Sequence, residues 1–249
     1  MNLRLVAFDL DDTLAPSKGA LPDDVGRALV DLLEVADVCV ISGGNWSQFN
    51  NQLLANLPPA RVEGLHLMPT CGTRYLTWSG GEWRPVYEHL IPEVQRREVA
   101  KVIEREARRL GIWEEETWGP VIEDRGTQIT FSALGQQAPI EAKREWDPTG
   151  AKRVALKDAI APYLDGLEPR AGGSTSVDVT EAGVDKAFGI RTLSELTGIA
   201  LDEMVFVGDR LDEHGNDRPV LDMGVECIAT TGPEETPRII RELIGGVRG

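Results

Sequence analysis

The chain has 249 residues and a formal net charge of −15, and 41% of its residues are hydrophobic and 27% are charged. This is the balance of a globular protein with one large core or two small ones. The acidic charge argues against a nucleic-acid or anionic-membrane partner, because either would need a basic face. There is no apolar run of membrane-spanning length, no secretory signal and no disulfide spacing among the three cysteines, so we predict a cytoplasmic protein.

The first 60 residues alternate between strand-like and helix-like segments. An apolar strand is predicted over residues 3–10 and leads into an acidic loop, and a helix is predicted over about residues 23–35. The run DVCVISGG predicts a second strand, and the amphipathic segment NWSQFNNQLLANL predicts a second helix. This alternation indicates βαβ units and a parallel sheet.

The middle of the chain has a more charged and mixed pattern. A long amphipathic helix is predicted to begin at Pro92, and the segment VIEDRGTQITFSAL predicts two strands around a turn. The parallel-sheet pattern then returns with the helix GVDKAFGIRTLSELTGI and the strand EMVFVGD. We therefore predict an α/β core formed by residues 1–78 and 182–249, interrupted by an inserted α+β domain of residues 79–181.

Two acidic residues directly follow the first predicted strand. Asp9 and Asp11 lie in the segment DLDDT, at the carboxyl end of a strand, where open parallel sheets bind their ligands. If the strand ends after Asp9, both carboxylates can approach one ligand. A carboxylate is a competent nucleophile towards phosphorus, and a second acid can protonate the leaving oxygen. The alternative interpretation is a solvated acidic turn.

Two later segments have groups that suit a phosphate. Ser42 and Gly43 follow the second strand, where a hydroxyl and backbone amides can bind phosphate, although a plain turn is the simpler explanation of this segment alone. Lys186 lies at a predicted helix start, where it opposes the helix dipole. A phosphate or carboxylate partner would explain that placement, and a surface lysine is the simple alternative.

An acidic loop follows the third strand of the core pattern. Asp209, Asn216 and Asp217 supply the oxygen ligands that Mg²⁺ prefers, and an acidic loop without a metal is the alternative. His214 lies in the same loop. We interpret it as solvated, because Mg²⁺ favours oxygen over nitrogen.

These segments occur in the order of the motifs of the haloacid dehalogenase (HAD) superfamily of phosphotransferases, which the chain resembles. The resemblance implies a HAD-like Rossmannoid core, which is a parallel sheet flanked by helices, with an inserted type C2 cap. It implies Asp9 as the nucleophile and Asp11 as the acid and base. The further implied ligands are Ser42, Gly43 and Lys186 for phosphate, and Asp9, the backbone carbonyl of Asp11 and Asp209 for Mg²⁺, with Asn216 and Asp217 nearby.

The chain more closely resembles the eukaryotic-type phosphomannomutase family, whose cap is of type C2b. The segments that carry this resemblance are FDLDDTLAPSK, ISGGNWSQFNNQL, IEDRGTQITFSALGQ, GGSTSVDV, GVDKAFGIRTL, GDRLDEHGNDRPV and TGPEET. It implies a small phosphorylated sugar as the partner and a homodimer formed through the cap. By position it also implies that Arg125, Ser176 and Asp178 hold the sugar and its remote phosphate.

Three positions depart from the family pattern. The family uses several arginines for the remote phosphate, and this chain has Lys18, Gln136 and Lys143 at three of those positions. Arginine grips phosphate with a planar fork, whereas lysine is a point charge and glutamine is neutral. A mutase must hold a bisphosphorylated intermediate, so a weaker second phosphate site favours attack by water.

The sequence therefore predicts a Mg²⁺-dependent enzyme that acts through an aspartyl-phosphate on a small sugar phosphate. The neutral Gln136 favours a phosphatase. The alternative is a phosphomannomutase that interconverts mannose-1-phosphate and mannose-6-phosphate, and the second alternative is a non-catalytic phosphosugar-binding protein. For Asp12 the sequence leaves two alternatives, a side chain that points to solvent and one that supports the metal loop.

Overall fold

A computed structural model of the protein describes residues 2–213 and 215–248, so the interpretation of His214 as solvated lies outside it. The chain forms two compact units, Met1–Glu88 with Val184–Gly249 and His89–Gly183. Among the described residues, no helix combines the length and the apolar character that crossing a membrane requires.

The elements follow the predicted alternation. The strands in chain order are β1 (Leu5–Phe8), β2 (Asp37–Ile41), β3 (Leu65–Met68), β4 (Arg74–Ser79), β5 (Glu82–Glu88), β6 (Ile122–Asp124), β7 (Ile129–Ser132), β8 (Leu167–Ala171), β9 (Ser176–Glu181), β10 (Met204–Gly208) and β11 (Glu226–Ala229). The helices are α1 (Asp23–Leu33), α2 (Trp46–Gln48), α3 (Glu93–Arg109), α4 (Ile140–Trp146), α5 (Ala151–Ile160), α6 (Lys186–Thr197), α7 (Arg218–Asp222) and α8 (Thr236–Arg248). Helix α2 continues as a π-helical turn, Phe49–Leu53, and a 3₁₀ turn, Leu54–Asn56.

The first unit contains a seven-stranded sheet in the order β11-β10-β1-β2-β3-β4-β5. The first five strands of this order, from β11 through β3, run parallel to one another. Strand β4 is antiparallel to β3, and β5 is antiparallel to β4. The chain passes from β1 to β2 on one side of β1 and later returns to place β10 on its other side. The carboxyl ends of these three strands therefore meet at a topological switch point, where open α/β sheets bind ligands. The predicted α/β fold with a parallel sheet and flanking helices is confirmed.

Strand β1 is apolar on both faces because helices cover both. Val6 and Phe8 pack into one core cluster, which includes residues of α1 and α8. The alternate residues, Leu5 and Ala7, pack into a second cluster with Ile190 of α6. Since successive strand residues point to opposite faces, a continuous apolar run is what a central parallel strand requires.

The second unit contains a four-stranded antiparallel sheet in the order β6-β7-β9-β8. One face is apolar and packs with residues of α3 and α5, and its strand residues include Ile129, Phe131, Val177 and Val179. The alternate residues point to the opposite face, which we call the polar face; on β7 and β9 it carries Thr130, Ser132, Ser176 and Asp178. The two faces explain why this region lacks the apolar runs of the first unit.

One predicted domain boundary falls inside a strand. The break between residues 78 and 79 cuts β4, whereas β4 and β5 both belong to the seven-stranded sheet. The two strands are joined by Gly80 and Gly81, at φ values of 64° and 86°, which a hairpin turn of this length demands. The first segment of unit one therefore extends to residue 88. The C2b type of the second unit stays a prediction.

Candidate active site

A buried lysine connects two of the predicted acidic residues. Asp9 directly follows β1, and its backbone N–H donates to the carbonyl of Val207 in β10 at 3.0 Å. The Nζ atom of Lys186 lies 2.6 Å from Oδ1 of Asp9 and 2.6 Å from Oδ1 of Asp217. Lys186 is 1% exposed. The unfavourable helix-start position of this lysine is thus offset by two carboxylate partners.

The cluster carries more negative charge than this one ammonium can balance. Burial raises the pKa of Asp9 well above its ordinary value against the opposing effect of Lys186, and the charges of Asp217 and Asp209 raise it further. Burial and the charge of Asp217 likewise raise the pKa of Asp209. Burial would lower the pKa of Lys186, but the two carboxylates outweigh it and raise that pKa, so the lysine stays charged.

The residues at this position fit Mg²⁺. Asp9, Asp209 and Asp217 each offer a carboxylate oxygen, and these atoms lie within 4.8 Å of one another. All the donors are hard oxygens, and a divalent cation would offset the excess charge. Thr13 supports the cluster, because its hydroxyl donates to Oδ1 of Asp209 at 3.3 Å. Ligation of Mg²⁺ by Asp9, Asp209 and the backbone carbonyl of Asp11 stays a prediction.

Asp217 has a second role that its sequence position did not reveal. Its Oδ1 accepts from Lys186, and its Oδ2 accepts from the backbone N–H of Arg210 at 3.1 Å. A Cβ atom at Gly208 would lie 2.4 Å from Oδ2 of Asp217, so only glycine allows this approach. Asp217 thus holds Lys186 in place. Asn216 is exposed, and ligation by either residue stays a prediction.

Asp11 lies in a hydrogen-bond network of its own. Its Oδ2 accepts from Nζ of Lys18 at 3.0 Å and from the side chain of Gln48 at 2.9 Å. Its Oδ1 accepts from the backbone N–H of Lys18 at 2.9 Å and from the side chain of Gln52 at 3.0 Å. Burial alone would raise the pKa of Asp11, but the charge and hydrogen bonds of Lys18, with that of Gln52, lower it to about 2.

Replacing Lys18 by methionine is expected to move the acidic limb of the pH–rate profile to higher pH. Without this ammonium the effect of burial on Asp11 is less opposed, so the pKa of Asp11 rises from about 2. A step that needs ionised Asp11 then fails at a higher pH than in the wild type. The measurement is the rate across the acidic range for wild type and variant. Lys157→Met on α5 is the matched control, and an unmoved limb in Lys18→Met would contradict the assignment.

Asp12 has a conformational role. It adopts a left-handed φ of 59°, which aspartate tolerates better than most residues, and its Oδ1 accepts from the backbone N–H of Ser17 at 3.0 Å. Further along the same loop, the carbonyl of Thr13 accepts from the hydroxyl of Thr236 at 2.6 Å. Asp12 therefore shapes the turn that follows Asp9.

Ser42, the predicted phosphate ligand, lies at the carboxyl end of β2. Ser42 is buried, and its Oγ accepts from the backbone N–H of Gly44 at 3.2 Å, so Gly43 lies within this small turn. The carbonyls of Ser42 and Gly44 accept from Cys71 and Thr70, both at 2.9 Å. Thr70 and Cys71 have φ values of 53° and 57°. Two successive left-handed residues other than glycine are strained, and no sequence signal predicted them.

The predicted sugar-binding residues all lie in the second unit, apart from Lys18. Ser176 and Asp178 are alternate residues of β9. The guanidinium of Arg125 donates to Oε2 of Glu123 at 2.6 Å, and Nζ of Lys143 donates to the backbone carbonyl of Gln136 at 2.8 Å. Their roles towards a sugar stay predictions.

Residues 109–245, more than half of the chain, match the family model described as eukaryotic phosphomannomutase. The chain belongs to the eukaryotic phosphomannomutase family. It is 27% identical to the phosphomannomutase of Saccharomyces cerevisiae, over 96% of this chain and 93% of that protein. It is 25% identical to that of Schizosaccharomyces pombe, over 93% of this chain and 91% of that protein. The sequence resemblance is thereby confirmed, and the protein is an enzyme.

Solved structures share the fold of this phosphomannomutase-family chain. IMP-bound Plasmodium falciparum IMP-nucleotidase matches with a TM-score of 0.70 and 16% identity, over 98% of this chain and 68% of that chain. A haloacid dehalogenase-like hydrolase from Bacteroides thetaiotaomicron matches with a TM-score of 0.63 and 16% identity, over 97% of this chain and 99% of that chain. The HAD-like fold predicted from the motifs is confirmed.

Proposed function

We propose that this protein is a Mg²⁺-dependent phosphomannomutase, which interconverts mannose-1-phosphate and mannose-6-phosphate. The observation that carries the proposal is the match, over nearly the full length of both chains, to proteins named phosphomannomutase. The contacts among Asp9, Lys186, Asp217 and Asp209 supply a nucleophile and a charged phosphate site suited to that reaction.

The proposed reaction uses Asp9 and Asp11 in turn. The enzyme starts with a phosphoryl group on Asp9. The 6-hydroxyl of mannose-1-phosphate attacks this phosphorus while Asp11 accepts the hydroxyl proton, which gives the 1,6-bisphosphate and free Asp9. After the bisphosphate has turned, Asp9 attacks the phosphorus at position 1, and Asp11 returns the proton to the departing sugar oxygen. Mannose-6-phosphate leaves, and Asp9 is again phosphorylated.

The groups around Asp9 would balance the negative charge of the phosphoryl group during both transfers. Lys186 is fixed by Asp9 and Asp217, so its ammonium is already in place for the oxygens of the transferring phosphoryl group. Mg²⁺ held by Asp9, Asp209 and the carbonyl of Asp11 would neutralise the remaining phosphate charge. In the second unit, Arg125, Ser176 and Asp178 would hold the sugar and its remote phosphate.

The structure weakens the argument from Gln136 that favoured a phosphatase. The Nζ atom of Lys143 lies 2.8 Å from the carbonyl oxygen of Gln136, so a positive charge lies beside the residue whose own side chain is neutral. A remote phosphate site there would retain a cation, as a mutase requires. Hydrolysis remains the second candidate, because a lysine offers a point charge in place of a bidentate fork.

A paired product assay tests the proposal. The enzyme is supplied with Mg²⁺, mannose-1-phosphate and a trace of hexose-1,6-bisphosphate, and both mannose-6-phosphate and free phosphate are followed. We expect mannose-6-phosphate with little free phosphate. Rapid phosphate release with little isomer would establish a phosphatase instead.

If the enzyme is a mutase, Lys143→Gln should increase the share of substrate that is released as free phosphate, since it removes the cation at the remote site.

A further inference from the structure

The polar face of the second unit contains a buried hydrogen-bond network centred on Asp178. Gln128 precedes β7 and is 0% exposed. Its side-chain amide donates to Oδ1 of Asp178 at 2.9 Å and to Oγ1 of Thr130 at 2.9 Å. Thr130 is paired directly opposite Asp178 across β7 and β9, and its hydroxyl donates to the same Oδ1 at 2.7 Å. Two protein donors thus converge on one oxygen of this carboxylate.

Burying polar side chains costs folding free energy unless they form hydrogen bonds with one another. A buried side-chain amide destabilises the fold when it lacks hydrogen bonds, and donors to a carboxylate form stronger bonds than neutral pairs do. The neighbouring residues Ile129 and Phe131 point to the apolar face, so the hydrophobic core does not require Gln128 or Thr130. What these two side chains accomplish is to fix the orientation of Asp178.

The other oxygen of Asp178 and the hydroxyl of Ser176 both lie at a glycine turn. A Cβ atom at Gly172 would lie 2.6 Å from Oδ2 of Asp178 and 2.6 Å from Oγ of Ser176. The guanidinium of Arg153 donates to the carbonyls of Gly172 and Gly173, which holds the turn. Oδ2 and Oγ therefore both lie against Gly172, in a turn that Arg153 holds, an arrangement that suits hydroxyl groups on one sugar ring.

We propose that Gln128, together with Thr130, is a positioning residue that fixes Asp178 to accept a hydrogen bond from a sugar hydroxyl. The pair thereby sets the preference of this enzyme for a phosphorylated hexose over a phosphoester without a sugar. The inference rests on the proposed function, in which Asp178 contacts the sugar.

The test compares Gln128→Met and Thr130→Val, which keep side-chain volume and remove the donors. The readout is kcat/KM for mannose-1-phosphate, counted as isomer plus free phosphate, divided by kcat/KM for acetyl phosphate hydrolysis. We expect each variant to lower this ratio by roughly tenfold or more, the effect of one hydrogen bond to a charged group, mainly through a higher KM for the sugar substrate. In an Asp178→Asn background, Gln128→Met should lower the ratio little further, because its target is already altered.

Trp146→Phe is the matched control, because it removes a hydrogen bond to Glu114 in the same unit without contacting Asp178. Its ratio should equal that of the wild type. The inference would be overturned if Gln128→Met lost equal activity on both substrates, or if the losses in the double variant were additive. In either case, turnover of the hexose phosphate by the wild type would leave the proposed function intact. Wild-type turnover of acetyl phosphate without any turnover of a hexose phosphate would overturn both.

Discussion

Asp9→Asn is expected to abolish turnover, by about 10⁴-fold or more, without unfolding the protein. An amide in place of the carboxylate cannot attack phosphorus, so no aspartyl-phosphate forms. The substitution also removes one of three clustered carboxylates. Because burial and the neighbouring acids raise the pKa of Asp9, ionising this carboxyl costs more free energy in the folded state than in the unfolded state. We therefore expect the variant, without Mg²⁺, to melt at the wild-type temperature or above it.

Two measurements separate loss of chemistry from loss of structure. The melting temperature is followed by circular dichroism, and calorimetry compares mannose-1-phosphate binding between variant and wild type. Asp165→Asn, at an exposed position of the second unit, is the matched control and should keep its activity. Substantial turnover in Asp9→Asn would remove this residue from the nucleophile role and would also revive the non-catalytic interpretation of the site.

Lys186→Met is expected to have the largest effect on stability. The ammonium is buried between Asp9 and Asp217, and its removal leaves uncompensated buried carboxylates. Breaking a buried ion pair in this way typically costs about 3–5 kcal/mol of unfolding free energy. Catalysis should be lost as well, because the phosphoryl oxygens lose their fixed cation. The measurement is urea denaturation at neutral pH.

Added Mg²⁺ should restore part of this lost stability. A divalent cation among the same carboxylates replaces some of the missing positive charge, and it binds the folded state only where the ligands are assembled. We expect a larger Mg²⁺-dependent increase in the variant than in the wild type. Lys101→Met, which removes an exposed lysine paired with Glu98 on α3, should change little. Equal stability of Lys186→Met and wild type would contradict the charge balance assigned to the cluster.

The sequence predicted the positions that follow parallel strands. Asp9, Ser42 and Asp209 each come directly after an apolar run, and these runs became β1, β2 and β10. Since the carboxyl ends of adjacent parallel strands lie at one edge of a sheet, local patterns were enough to bring these residues together. Their order along the chain then sufficed to indicate the family.

The β4–β5 hairpin was assigned to the wrong part of the chain for a different reason. Its two glycines were a usable turn signal between strand-like runs, but the strands are mixed in composition, and β5 is the edge strand of the sheet. Strands of this kind have few buried positions, so their sequences contain fewer apolar residues and are harder to recognise as strands. The sequence therefore identified a change of pattern near residue 78 and missed the additional strands of the first sheet.

Residue types and their positions after strands determined the fold class, the family and the acidic cluster of this protein. Tertiary structure alone decided which side chains orient that chemistry. Gln48 and Gln52 reach Asp11 from a helical segment that contains a π turn, and Gln128 reaches Asp178 from the residue before β7, 50 residues away along the chain. Contacts of this kind depend on backbone geometry and on packing between distant segments, which local composition and periodicity do not encode.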